Sequence, residues 1–232
     1  MLGGQWAYGG DSPGYWWGQL KFAAGAKVEL LTPTGGPDAA FLERFLVSRG
    51  PGQHHFNFIV PDITETLEQV RAIGIEPVQV NLDNPNWKEA FLHPKSAFGI
   101  VVQVAQQGME PTTPAPADLP DPAPAAEFVA AEHHVEDVDA ALRLFRDALA
   151  GEVVAREPTS SGDSVLLRWT NGAQLRLVRP SSAAGRDALV FGGAAHHLEF
   201  ARVEGRFTAA EVEAIGSAAS RLGVSIHLVD SA

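Results

Sequence analysis

Two strand-like stretches each carry one polar residue among aliphatic ones, and these residues are the first candidates for chemistry. Glu29 interrupts the run AKVELL, and Gln103 interrupts GIVVQV. Strand alternation points each polar side chain away from its aliphatic neighbours. A carboxylate or amide in so apolar a strand costs free energy unless a partner satisfies it. On position alone, the ordinary explanation is an antiparallel sheet with one face in water, where an isolated Glu needs no partner.

A pair of adjacent histidines begins a third strand-like stretch, HHFNFIV. Neighbours on a strand point to opposite faces, so only one of the two can enter a given cavity. We expect this residue to be His55, which shares its face with Asn57, whereas His54 would lie at the surface or rim. A single strand histidine is often a hydrogen-bonded core residue. The pair recurs as His196–His197, however, and this recurrence favours a functional role.

The elements that position these residues form a repeat. Units of one strand and one amphipathic helix begin at His54, Phe128 and Ala194, and Asp62 and Gly74 mark the two ends of the first helix. Three strand-like runs follow the first two helices. Each of the three units begins with a strand. The other strands that the sequence predicts cover residues 5–8, 17–22, 26–31, 76–82, 87–92, 99–105, 152–157, 164–169, 174–178 and 225–229. The sequence thus predicts an α+β fold of repeated βαβββ modules, with curved mixed sheets and helices on the outside.

Two of these modules are complete and two are partial. Three strands precede the first complete module without a leading strand and helix, and the last unit ends after one post-helix strand. Between the halves, residues 111–124 contain six prolines in fourteen residues, which predicts an extended linker. We therefore expect one domain over 1–107, a Pro/Ala-rich linker over 108–125, and a degenerate second domain over 126–232, truncated at its C-terminus.

Composition excludes several functions. A net charge of −11 argues against nucleic acid as a partner, because phosphates require basic residues. The chain has no cysteine, which excludes disulfides and thiolate metal ligands. No apolar run approaches the roughly 20 residues that a membrane span requires, and the first ten residues do not resemble a signal peptide. A soluble cytoplasmic protein is the expectation.

The segments GPGQHHFNFIVPDI and FLHPKSAFGIVVQVAQ together resemble the second module of the vicinal oxygen chelate superfamily. This superfamily comprises glyoxalase, bleomycin-resistance and extradiol dioxygenase proteins, and the likeness is to its methylmalonyl-CoA epimerase and glyoxalase branch. KVELLTP, a short helix over 37–49 and GPGQHH resemble that branch's junction between modules. The resemblance covers residues 3–107 and extends more weakly over 126–232.

The resemblance implies a metal site. In the family, a histidine that opens the first strand of each module and a Glu or Gln in the last strand of each hold the ion. This implies Glu29, His55 and Gln103 as ligands of Ni, Co, Mn, Zn or Fe. The fourth ligand belongs to the missing first strand. His197 would supply it if the C-terminal unit filled that gap, within one chain or by strand swapping in a homodimer.

The second half departs from the family pattern. Ala130 and Arg176 stand at ligand positions, and an arginine is a permanent cation that cannot bind a metal. We therefore expect the second half to be a metal-free structural or substrate-covering partner. His133 and His134 come late in their strand, so we expect them at a loop or rim.

The resemblance implies chemistry next to the carbonyl of a small metabolite, as in a metal-dependent isomerase or lyase, with Glu29 as the base. Trp6, Tyr8, Trp17 and Asn57 are candidate substrate-binding residues, although an aromatic cluster of this kind is also typical of a core. Three alternatives stay open. These are a non-catalytic small-molecule binding protein, an extradiol dioxygenase, and a scaffold that has lost its site.

Overall fold

A computed structural model of the protein describes residues 2–23, 25–119, 126–159, 162–181, 196–203 and 205–229. In chain order the strands are β1 (Gln5–Ser12), β2 (Tyr15–Lys21), β3 (Lys27–Pro33), β4 (His55–Ile59), β5 (Val78–Asn81), β6 (Trp87–Leu92), β7 (Val101–Gln107), β8 (Ala126–His134), β9 (Glu152–Thr159), β10 (Gly162–Arg168), β11 (Gln174–Pro180), β12 (His196–Arg202) and β13 (Ser225–Val229). The helices are α1 (Ala40–Arg49) after a 3-10 turn (Pro37–Ala39), α2 (Ile63–Ala72), α3 (Val138–Leu142) with a π-helical continuation (Arg143–Ala148), and α4 (Ala209–Arg221).

The strands form three sheets. The first has the order β1-β2-β3, the second β4-β7-β6-β5, and the third β13-β12-β8-β11-β10-β9. In both complete modules the first strand pairs in parallel with the last, as β4 with β7 and β8 with β11, and the other strands within the module pair antiparallel. The helices are few and lie at the periphery of the sheets. The predicted α+β fold of repeated βαβββ modules is therefore confirmed.

Local sequence explains where the helices begin. The Asp62 carboxylate accepts hydrogen bonds from the backbone N–H groups of Thr64 and Glu65, which would otherwise lack partners at the start of α2. Thr208 and Glu211 form a reciprocal capping box at the start of α4. The short helix predicted over 37–49 is present as the 3-10 turn followed by α1.

The two halves of the chain share one buried apolar cluster. The Phe58 ring of β4 lies 5.9 Å from Phe145 and 5.0 Å from Trp169, and Phe22 lies 5.0 Å from Phe200. This face of β4 therefore packs against the second half, and His55 lies on the opposite face of β4.

The proline-rich segment lies partly outside the described residues, which stop at 119 and resume at 126. Within 108–119 the chain forms neither helix nor strand. Thr113 ties it to β1, because its carbonyl accepts from Trp6 Nε1 at 3.0 Å and its hydroxyl accepts from Gly9 N at 2.9 Å. The division into domains at this segment stays a prediction. No helix in the described part of the chain has the length and apolarity needed to cross a membrane.

Candidate metal centre

Glu29 and His55 meet between the first two sheets. Glu29 lies on β3 and His55 opens β4, and the two strands are end strands of different sheets in the described part of the chain. Glu29 Oε1 is 3.8 Å from His55 Nε2, and their side chains are 24% and 13% exposed. The predicted pair therefore points into one shared, largely buried space.

The first sheet orients Glu29 through its neighbour. Gln19 of β2 is the register partner of Glu29 on β3, so the two side chains share one face. Gln19 Nε2 donates a hydrogen bond of 2.6 Å to Glu29 Oε2. This bond fixes the carboxylate and leaves Oε1 as the oxygen that faces His55.

The second sheet brings Gln103 and a further carboxylate to the same space. Gln103 on β7 is buried, and its Nε2 donates to Glu89 Oε2 on β6 at 2.8 Å. Trp87 Nε1 donates to the same oxygen at 2.8 Å. Because the Gln103 amide nitrogen is engaged by Glu89, its oxygen is the atom left to bind a cation.

His54 has a position that the sequence did not predict. Its ring is half-buried and packs edge-on against Phe41 and Phe45 of α1, with centroid distances of 5.7 and 5.0 Å. Its Nδ1 lies 3.0 Å from Nδ1 of His55. His54 therefore contacts the ring nitrogen of His55 that faces away from Glu29. A partner on the ring nitrogen that does not bind the metal fixes the orientation of a metal-binding imidazole.

The protonation states favour cation binding. Burial lowers the pKa of His55 most, His54 lowers it as well, and the Gln103 side chain partly raises it, which gives a pKa of about 4. The imidazole is therefore neutral at pH 7 and offers a lone pair. Burial raises the pKa of Glu29, the hydrogen bond from Gln19 counteracts this, and the charge of Glu89 adds to the rise. Bringing a cation close would relieve the cost of burying this carboxylate.

The donor set fits a divalent ion. Nitrogen and oxygen donors bind such ions at about 2.0–2.2 Å, so two donors on one ion are at most about 4.4 Å apart. The 3.8 Å between Glu29 Oε1 and His55 Nε2 satisfies this limit. Glu29, His55 and Gln103 would hold the ion, and Glu89 would hold the Gln103 amide in place.

The predicted aromatic residues lie on two different faces. A bulge separates Trp6, which pairs with Leu20, from Tyr8, which pairs with Gln19. Trp6 therefore points away from Glu29 and stacks on Trp16 at 6.2 Å. Trp6 therefore lies on the opposite face from Tyr8 and Trp17, and its role in substrate binding stays a prediction.

Tyr8 and Trp17 lie on the Glu29 face, with their rings 5.8 Å apart. Tyr8 is buried, and its hydroxyl accepts from Lys27 Nζ and Gln107 Nε2, both at 3.1 Å. Tyr8 thus connects the first two sheets. Asn57 is exposed beside Gln103, its partner in the register of β4 and β7.

His197 lies in a different sheet from the other predicted ligands. β12 pairs with β8 in the third sheet, where His197 is the register partner of Glu132. Its Nε2 is 3.9 Å from Glu132 Oε1. Placing His197 beside Glu29 was therefore wrong for this chain, because β12 extends the third sheet instead of filling the gap between β3 and β4. Strand swapping in a homodimer stays a prediction.

Comparisons with known proteins identify the fold. No protein-family model and no curated protein matches the sequence. A mutant of 4-hydroxymandelate synthase from Streptomyces coelicolor has a similar structure over 94% of this chain and 75% of that one, with 12% identity and a TM-score of 0.57. A fusion of a xylose isomerase-like TIM barrel and 4-hydroxyphenylpyruvate dioxygenase matches 90% of this chain and 33% of its own, with 15% identity and a TM-score of 0.56. The chain has the vicinal oxygen chelate fold.

A methylmalonyl-CoA epimerase structure matches 49% of the chain and 83% of its own length, with 21% identity and a TM-score of 0.41. The predicted vicinal oxygen chelate fold is thus confirmed, and the branch of the superfamily stays a prediction.

Equivalent hydrogen bonds align the two complete modules of this vicinal oxygen chelate fold. Val60 N donates to Ala105 O, and Val135 N donates to Val178 O, both at 2.8 Å. Counting back along the paired strands matches His55 with Ala130 and Gln103 with Arg176. The second half therefore lacks these two ligands at the positions that hold them in the first half.

Sequence reasoning missed three features of this chain. Glu89 and Gln19 support the predicted ligands, and only the strand register shows that they share the ligands' face. His133 was expected at a rim and is fully buried, with its ring 5.6 Å from Phe56. Glu132 was not considered at all. The sequence did carry an indication of it, because Glu132 precedes His134 by two residues and residues two apart on a strand share a face.

Proposed function

We propose that the chain is a metal-dependent enzyme of the isomerase or lyase type that moves a proton at the carbon next to the carbonyl of a small metabolite. The observation that carries this proposal is the 3.8 Å approach of Glu29 Oε1 to His55 Nε2, with the buried Gln103 on β7, the strand that pairs with β4. Glu29, His55 and Gln103 would hold the ion. A bound divalent ion would act as a Lewis acid toward neighbouring oxygens of the substrate.

Glu29 is the proposed base. Burial raises the pKa of its carboxyl, which makes the carboxylate a stronger proton acceptor than an exposed one. The hydrogen bond from Gln19 holds Oε2, so Oε1 is the oxygen that would take the proton. Because Gln19 is an uncharged amide, it orients the Glu29 carboxylate without neutralising its negative charge, as a lysine or arginine would.

Glu89 is a second carboxylate on the same side. Both of its hydrogen bonds, from Trp87 and Gln103, end on Oε2. Gln103 cannot accept a proton at neutral pH, so Glu89 supplies the second acid–base group that a two-base isomerisation requires. A lyase or a one-base exchange requires Glu29 alone.

The surroundings favour a small, partly apolar substrate. Tyr8 and Trp17 form an aromatic wall on the Glu29 face. The one lysine on this face of β3, Lys27, is engaged by the Tyr8 hydroxyl and by the Glu110 carboxylate. A carbonyl compound that presents two neighbouring oxygens fits this composition better than a polyanion does.

Proton exchange tests the proposal. The cobalt-loaded protein is incubated in D₂O with a panel of α-hydroxy ketones and short acyl thioesters, and nuclear magnetic resonance follows loss of the α-proton signal. We expect exchange of at least one compound above the free-metal rate, and its loss in Glu29→Gln. The matched control is Glu43→Gln, which removes the same charge at an exposed position on α1. Equal exchange by Glu29→Gln and the parent would refute Glu29 as the base.

A further inference from the structure

A second cluster of metal-binding side chains lies in the third sheet. One ligand atom each from Glu132, His134 and His197 lies within 4.8 Å of the other two. Glu132 Oε1 is 2.8 Å from His134 Nε2 and 3.9 Å from His197 Nε2. One carboxylate oxygen therefore stands between two imidazoles.

The backbone dictates this arrangement. Glu132 and His134 are two residues apart on β8, so they share a face. β12 pairs antiparallel with β8 and places His197 directly opposite Glu132. Both strands have neighbours on each side in the third sheet, since β11 flanks β8 and β13 flanks β12. Interior strands hold side chains more rigidly than loops do.

The cluster is shielded from water. The side chains of Glu132, His134 and His197 are 9%, 13% and 21% exposed. Nδ1 of His197 is buried and forms no hydrogen bond within the described part of the chain. His227 of β13 stacks on the His197 ring at 4.4 Å with an interplanar angle of 26°, which restricts the ring's rotation.

The charge balance permits a cation. Arg176 is the register partner of Glu132 on β11, and a neighbouring cation disfavours a metal. Glu199 of β12 lies on the same side, with Oε1 3.6 Å from Arg176 Nε. With Arg176 opposed by Glu199, the Glu132 carboxylate remains as the negative charge between the two histidines.

We infer that Glu132, His134 and His197 bind a divalent transition-metal ion at a second site, separate from the one at Glu29. Two imidazole nitrogens and one carboxylate suit Zn²⁺ or Fe²⁺ and disfavour Ca²⁺ and Mg²⁺, which take oxygen ligands. Glu132 and His134 do not occupy the positions that the family resemblance assigns to ligands. This site replaces the expectation of a metal-free second half, and it does not depend on the proposed function.

Cobalt titration tests the inference in a protein whose first site is disabled. The full chain carrying His55→Gln is stripped with a chelator, and bound Co²⁺ is measured by equilibrium dialysis and visible absorption. We expect one equivalent to bind. His134→Gln or His197→Gln in this background lowers the affinity by more than about 100-fold, because losing a ligand costs more than losing a group that only orients a ligand. Glu132→Gln lowers it as well.

Two controls make the result decisive. His93→Gln changes an exposed turn histidine and leaves cobalt binding unchanged, which excludes loose binding to surface imidazoles. Circular dichroism establishes that each variant is folded, and two independent histidine variants guard against one that is not. The inference is overturned if the His55→Gln protein binds no cobalt, or if both histidine variants bind it as tightly as that background does.

Discussion

Glu29 Oε1 and His55 Nε2 are 3.8 Å apart although β3 and β4 are not neighbours in any sheet. Side chains, not backbone hydrogen bonds, connect the two strand edges here. The hydrogen bond of 3.1 Å from Gln107 Nε2 to the Tyr8 hydroxyl joins the same two sheets at another point. The proposed ion would bridge Glu29 and His55 directly, so metal binding and stability should be linked in this part of the fold.

Glu29→Gln should weaken metal binding at the first site by more than about 100-fold, because it removes the charged ligand and leaves a neutral amide. The measurement is calorimetric titration with Co²⁺ in a His197→Gln background, so that only the first site contributes. The exposed Glu43→Gln on α1 removes the same charge away from the site and should leave the affinity unchanged. An affinity for Glu29→Gln equal to that of its background would exclude Glu29 as a ligand.

Gln103→Glu should destabilise the metal-free protein by about 1–3 kcal/mol, because it replaces the amide that donates to Glu89 with a second carboxylate. Urea unfolding in the presence of a chelator measures this loss. Adding Glu89→Gln to the same variant restores an amide–carboxylate pair and should recover most of the stability. Equal stabilities for the single variant and the parent would show that the hydrogen bond between positions 103 and 89 contributes little.

The pKa of His55, lowered to about 4 by burial, predicts acid sensitivity. The unfolded chain takes up a proton near the ordinary pKa of 6.5, whereas the folded chain does so only near 4, so unfolding gains protons between these values. The contribution of His55 to the free energy of unfolding is therefore fully present above pH 6.5. It is lost as the pH drops toward 4, by on the order of 2–3 kcal/mol. His55→Gln should remove this part of the dependence, and the difference in unfolding free energy between parent and variant across that range measures it. A constant difference would contradict the prediction.

Thr113→Val should loosen the attachment of the proline-rich segment to β1. The substitution removes the hydroxyl that accepts from Gly9 N at 2.9 Å and keeps the carbonyl that accepts from Trp6. We expect the Gly9 amide to exchange with solvent up to about ten-fold faster, which corresponds to one hydrogen bond. Thr112→Val, at an exposed neighbouring position, is the matched control. Unchanged exchange at Gly9 would mean that this hydrogen bond does not hold the segment.

Much of the fold could be predicted because each local signal agreed with the repeat. The strand predicted over 87–92 matches β6 to the residue, and Asp62 caps α2 as its spacing indicated. The sequence also indicates Glu29 and Gln103 as candidate ligands, since each is the polar exception in an apolar strand. Periodicity reports which face a side chain takes, and this was sufficient for both.

Periodicity does not report which strands pair, and the errors follow from that. His197 begins its strand much as His55 does, yet β12 pairs with β8, so His197 joins Glu132 and not Glu29. Trp6 and Tyr8 are two residues apart and would share a face in a regular strand, but the bulge between them reverses one of the two. Pairing partners and bulges depend on long-range packing, which a single sequence does not specify.

The most direct test of the central claim is a crystal structure of the cobalt-loaded protein with an anomalous difference map. The account predicts a cobalt peak about 2.0–2.2 Å from both Glu29 Oε1 and His55 Nε2, with the Gln103 side chain turned toward it. A map from fully loaded crystals without a peak between Glu29 and His55, even with one at Glu132, would contradict it.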